Sequence, residues 1–97
     1  MNADIGQILL PIARASIARA LGRTHAALED AQWLLAPGAC FITLKQAERL
    51  RGCIGTLRAH RPLLDDIKAN AFAAAFSDPR FKPLLADELE LTQVEVS

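Results

Sequence analysis

Charge of one sign, aromatic side chains and long apolar runs are all scarce in this chain. Eleven basic residues are matched by eleven acidic ones, so no global field gathers nucleic acid or holds an anionic membrane. Aromatic residues make up 5% of the 97 positions, too few for the stacking platforms that bind single strands. Both shortages speak against a dedicated nucleic-acid binder. No stretch approaches the roughly 20 apolar residues of a spanning helix, and Met1-Asn2-Ala3-Asp4 lacks the basic start of a signal peptide. The two cysteines, Cys40 and Cys53, are too few and too widely spaced for a disulfide framework or a CxxC metal clip. With His25 and His60 they supply zinc-ligand types but no zinc-site spacing, so no metal site is expected and no cofactor is indicated. Free thiols in a reducing cytoplasm are the expectation.

What is present suits one small α+β domain. Hydrophobic residues are 52% of the chain, many of them alanines that pack helices closely, and the length fits one core. From Asp4 to Leu21 apolar residues recur at helical spacing, with Asp4 as a possible cap and Gly22 as a left-handed stop. Pro11 predicts a kink or a helix that begins near it. Thr24 to Leu35 predicts a short second helix with Leu28, Ala31 and Leu35 on one face, and Trp33 as core anchor or lid. After the breaker Ala36-Pro37-Gly38, the segments Ala39–Lys45 and Leu50–Leu57 read as a β-hairpin. Pro62 opens a helix, Asp65 and Asp66 suit its dipole, and Ser77-Asp78-Pro79 ends it. Arg80 to Asp87 reads as a loop and Leu89 to Ser97 as a last strand. The predicted order is α(α)ββαβ, a small antiparallel or mixed sheet with helices packed on it.

The abrupt close on Val94-Glu95-Val96-Ser97 leaves an uncovered sheet edge, which proteins normally avoid. The expectation is an incomplete domain, truncated after Ser97 or completed by a second chain, and therefore self-association.

Leu50-Arg51-Gly52-Cys53-Ile54-Gly55 is the best candidate for a working site. A turn on Ala47-Glu48 would set Leu44 against Arg51, Ile42 against Cys53 and Cys40 against Gly55. Arg51 and Cys53 would then share a face with Cys40, Ile42 and Leu44, and the main core layer would be Ala39, Phe41, Leu50, Ile54 and Thr56. Glycine weakens a strand interior, so Gly52 and Gly55 need a bulge or a close approach to explain them. Flanking Cys53, they would leave its thiol accessible, and a neighbouring guanidinium on Arg51 would favour the thiolate. Arg49, Arg51, Arg58 and Arg61, with no acidic residue between them, suggest a site for a small anionic ligand. The plainer readings stand beside these. Cysteine is often a small buried hydrophobe, strand glycines can simply admit a helix, and an arginine run is commonly a solvated face.

Three stretches together resemble the AmmeMemoRadiSam system protein A family, also called the AMMECR-type domain. They are Pro37–Leu44, the LRGCIG string Leu50–Gly55 with Thr56, and Asn70–Phe81 with its DPRF string; Arg61-Pro62-Leu63 and Leu89–Ser97 also sit at family spacing. The resemblance covers the whole chain but only the N-terminal part of the family domain. It implies an α+β fold and association with a Memo-like protein and a radical SAM protein, without a settled reaction. Arg51, Gly52, Cys53, Gly55, Asn70, Asp78 and Arg80 match its motifs.

Two functions remain open. One is a binding module in which an LRGCIG groove and basic rim hold a partner or small anion. The other is an enzyme component in which Cys53 is nucleophile or redox thiol, Arg51 tunes it, Arg80 binds an anionic group and Asn70 or Asp78 orients the ligand. The second lacks an evident general base.

Overall fold

Helical spacing of apolar residues folds the first segment into α1, Ala3–Ala20. The computed structural model describes residues 3–97. Leu9, Ile12, Ala13 and Ile17 lie on one stripe of this helix and are fully buried. Gly22 ends it at φ 77. In that conformation the Gly22 amide reaches the Arg19 carbonyl (3.0 Å) and the Arg23 amide the Ala18 carbonyl (2.8 Å), which satisfies carbonyls the helix end would orphan. The helix runs through Pro11 instead of beginning there. The capping role expected of Asp4 falls on a side chain outside the described residues.

No second α-helix forms between Thr24 and Leu35. A 3₁₀ turn, Gln32–Leu35, is all the regular structure there. Leu28, expected on the buried face, is 78% exposed. The core takes Leu34 instead, a residue off that face. Trp33 is half-exposed and therefore no core anchor.

The sheet contains β1 (Phe41–Gln46), β2 (Arg49–Gly55) and β3 (Gln93–Val96) in the order β2-β1-β3, antiparallel throughout. The β1–β2 turn falls on Ala47-Glu48 as expected, both with positive φ (50 and 66), and Gln46 faces Arg49. One step later the register departs from expectation. Lys45 faces Leu50 but Leu44 faces Gly52, so Arg51 is the extra residue of a β-bulge. Every later partner moves by one: Cys53 faces Thr43, and Gly55 faces Phe41. The core layer is accordingly Cys40, Ile42 and Leu44, all buried, with Ile54 against them. Phe41 and Leu50, expected inside, are 39% and 43% exposed.

Helix α2, Leu63–Phe76, begins after Pro62 and ends at Ser77, before Pro79. It covers β1 and β2, while α1 covers β3 and packs on α2. Both helices lie on one face of the sheet. The last strand starts later than expected, at Gln93, because Ala86–Leu91 forms a 3₁₀ turn. Arg14 of α1 fixes that turn by donating to the carbonyls of Leu89 (2.7 Å) and Thr92 (2.8 Å). Among the described residues no helix is long and apolar enough to cross a membrane.

Candidate functional site

β2 is an edge strand, and the pairing of β1 with β2 decides which of its backbone groups face outward. The Thr56 amide bonds the Cys40 carbonyl at 3.0 Å, so alternate residues inward of it, Ile54 and Gly52, bond β1. The amide and carbonyl of Cys53 therefore point away from the sheet. They are not left open. Asp78 Oδ2 accepts from the Cys53 amide (3.0 Å), and Arg80 Nη2 donates to the Cys53 carbonyl (3.4 Å). Arg80 also grips Asp78 through Nε (3.0 Å) and Nη2 (2.7 Å). Asp78-Pro79-Arg80 thus stands where a neighbouring strand would. The Arg80 guanidinium, with help from the Cys53 amide, holds the Asp78 carboxyl well below the usual carboxylate range.

The Cys53 side chain is half-buried on the face away from the helices, with Sγ 3.5 Å from Thr43 Oγ1. Arg51, expected to tune it, is committed elsewhere. Its Nε and Nη2 meet the two Glu88 oxygens at 3.1 and 3.2 Å, while Nη1 is buried without a hydrogen-bond partner among the described residues. Arg51 chiefly, and the Leu85 amide and Gln46 after it, hold the Glu88 carboxyl at about 2 against the cost of its burial. Phe81 receives both cations, Arg51 at 5.9 Å and Arg80 at 5.4 Å from its ring centroid.

The glycines have local reasons. A Cβ on Gly52 would run into the Ala74 carbonyl of α2, and one on Gly55 into the Phe41 ring. Helix and ring press on the bare backbone at these points.

Asn70 goes to a different place, a buried polar cluster on the helix side of the sheet. Its centre is Asp66, fully buried, which accepts from the Cys40 amide (2.9 Å), Thr56 Oγ1 (2.7 Å), Arg61 Nε (2.8 Å) and Asn70 Nδ2 (3.1 Å). The same Asn70 amide reaches the Cys40 carbonyl and Thr56 Oγ1, each at 3.0 Å. Burial alone would raise the Asp66 pKa, but the bonds from Thr56, Arg61 and Cys40 outweigh it and hold it below the ordinary value. Burial first, and a thiol bond to Asp66 at 3.4 Å second, push Cys40 up to about 12. The expected arginine rim is thereby partly spent: Arg61 serves Asp66, Arg51 serves Glu88 and Arg80 serves Asp78.

The two thiols should therefore differ sharply in reactivity. Cys40 is buried and protonated; Cys53 sits on the face without helices. Alkylation of the folded protein by iodoacetamide at pH 8, followed by peptide mapping, should label Cys53 at least about 100-fold faster. Equal rates in the folded state would mean that Cys53 is sealed as Cys40 is.

The structure thus brings together Cys53, Asp78 and Arg80, places Arg51 nearby on Glu88 and Phe81, seats Gly52 and Gly55 as contact points, and separates Asn70 from all of them. Reasoning from sequence missed the roles of Thr43, Glu88 and Asp66. One signal for the last was available. Asp66 and Asn70 stand at i and i+4 among Ile67, Ala71 and Ala74, two polar residues on an apolar helix face.

Comparison with known proteins places this chain among relatives. The AMMECR1 family model matches residues 10–97. A protein of Sulfolobus acidocaldarius is 40% identical over 103 aligned positions, and Protein SSO0193 of Saccharolobus solfataricus is 41% identical over the same span. Each alignment takes in 100% of this chain and 45% of the relative, so the chain spans about half the length of the curated proteins it matches. Among solved structures, that of the uncharacterized protein PH0010 from Pyrococcus horikoshii superposes with a TM-score of 0.87 at 30% identity. It is matched over 100% of this chain and 52% of its own.

Proposed function

Because this chain belongs to the AMMECR1 family, we propose that it is a partner-binding module whose receiving surface is the helix-free face of the sheet. One observation carries the reading: the Cys53 thiol and Thr43 hydroxyl meet at 3.5 Å on that face, beside the half-exposed Phe41 ring lying on Gly55. Such a face offers hydrogen-bonding groups next to a flat apolar surface, the usual make-up of a recognition patch. The alternative, Cys53 as nucleophile or redox thiol, has less support. Thr43 is the only side chain that hydrogen-bonds the sulfur among the described residues, and a hydroxyl does not take a thiol proton. A free anion is likewise less favoured, since three of the arginines it would need already hold carboxylates.

The resemblance described above supplies the proposed partners, a Memo-like protein and a radical SAM protein, in a cytoplasmic setting. Calorimetric titration of each, taken from the same genome, tests the proposal. Phe41→Ala and Thr43→Lys should each weaken binding about tenfold or more. Arg23→Ala, which removes only an exposed ion pair with Glu90, should leave it unchanged. Equal weakening by all three variants, or no binding of either partner near 100 μM, a concentration at which even weak complexes register, would overturn the proposal.

A further inference from the structure

Between α1 and the chain that follows it lies a cavity of about 290 Å³, lined by Gln7, Ile8, Pro11, Ala26, Ala27 and Leu28. It sits on the helix side of the sheet, away from the face that carries Cys53. Local sequence leaves it unfilled. Ala26 and Ala27 supply only methyl groups to its wall, and Leu28 forms a largely exposed lip. The wall also holds a polar atom without its usual partner. In α1 the Gln7 carbonyl points along the helix toward residue 11, and that residue is a proline inside the helix. Proline has no amide to donate, and its ring pushes aside the carbonyl four residues earlier. Gln7 and Pro11 both line the cavity, so the freed acceptor lies at its wall. No charged side chain lines it.

The geometry points to this cavity as a binding site for a small, neutral ring compound that carries one N–H or O–H donor. Size sets the first part. A dry cavity of ~150 Å³ admits benzene, so one of about 290 Å³ suits a fused bicycle. It lies at the bottom of the ~300–1,000 Å³ range of ligand pockets. The lining sets the charge. An ionic ligand would give up its hydration to aliphatic walls that offer no counter-ion. The Gln7 carbonyl sets the donor. A ring that covers it without a donor displaces its water and leaves a desolvated acceptor. A ring with an N–H or O–H instead restores the bond that Pro11 removes. Leu28, exposed while the cavity is empty, would then bury its side chain against the bound ring.

Two probes test this, indole and benzofuran, which has the same shape but no donor. Each is titrated into the protein while the amide shifts of Ile8, Ala27 and Leu28 are followed by two-dimensional NMR. Indole should bind saturably with a dissociation constant near or below about 1 mM, and benzofuran about fivefold or more weakly. Pro11→Ala is the variant. It restores an amide at residue 11 that takes the Gln7 carbonyl back into the helix, and alanine keeps the helix intact. Indole's advantage over benzofuran should then shrink to about twofold or less. No saturable shift at these amides, benzofuran binding the parent as tightly as indole, or an undiminished preference in Pro11→Ala would each overturn the inference. Shifts at the same amides on raising the protein concentration alone would assign the cavity to a second copy of the chain and overturn it too.

Discussion

Asp66→Ala is expected to cost about 3–5 kcal/mol, the scale for breaking a buried, hydrogen-bonded charge pair. Small domains have only ~5–15 kcal/mol in total, so this variant should be largely unfolded or close to it. Five donors converge on the Asp66 carboxylate, from the Cys40 backbone and thiol and the Thr56, Arg61 and Asn70 side chains. Alanine leaves them facing a void that none can fill. Asp66→Asn keeps the shape but not the charge and presents a donor to other donors, so an intermediate loss is expected. Urea unfolding of the three proteins decides the matter; an alanine variant within about 1 kcal/mol of the parent would show that the cluster contributes little. The pH dependence follows from the same bonds. Asp66, Asp78 and Glu88 all have folded pKa values below their ordinary ones. Their stabilisation is therefore complete above the unfolded carboxylate range of ~3.9–4.3 and is lost as pH falls from there toward the folded values. The Asp66→Asn variant, lacking one of the three carboxylates, should show a shallower acid transition.

Gly52→Ala should be nearly as damaging from a single methyl group. The new Cβ would fall on the Ala74 carbonyl, a backbone atom in the last turn of α2 that can retreat only by moving the helix end. Overpacking of this kind costs about 1–3 kcal/mol, occasionally more, and at ~4–8 °C per kcal/mol for a domain of this size the melting temperature should drop by roughly 10–20 °C. Gly6→Ala is the matching control. It lies within α1 with nothing within 4 Å of the added carbon, and should stabilise by about 0.5–1 kcal/mol. If both substitutions shift the melting temperature alike, α2 does not bear on the β2 backbone as described.

The helices could be read from the sequence because their signals are local. Gly22 and Pro62 punctuate the chain whatever it packs against, and Leu9, Ile12 and Ile17 repeat at helical spacing. The hairpin and its turn were legible for the same reason. Its faces were not. A bulge at Arg51 is fixed by distant groups: Glu88 holds the guanidinium and Ala74 presses on Gly52. One inserted residue was enough to put Ile54 beside Ile42 and Cys53 beside Thr43, the reverse of the face-sharing expected. The core side along β1 thus became Cys40, Ile42 and Leu44 instead of Ala39 and Phe41. Thr24–Leu35 misled in the opposite way, since its helical spacing was real but the core fully buried Leu34, took Ala27 and Ala31 only at its margin, and left Leu28 and Leu35 exposed. At the candidate site, the strings around Cys53 and Asp78 could be singled out separately. Their meeting across the sheet edge depends on where α2 ends. Asp66 was seen as a dipole partner because its position near the helix start is local, whereas the Cys40 backbone that it serves is distant in sequence.

The Ala47-Glu48 turn has a consequence for the order in which the chain assembles. Both residues adopt left-handed backbone angles without the glycine or asparagine that makes such turns easy. A hairpin closed this way gains little from its own turn, and a lone two-stranded ribbon is marginal in any case. Its bulged register needs Glu88 and α2, and its central strand β1 needs β3, which lies on the far side of α2 in the chain. The ladder therefore has to wait for contacts that span nearly half the sequence. The entropy of closing that long loop, more than any local preference, sets the pace of sheet formation.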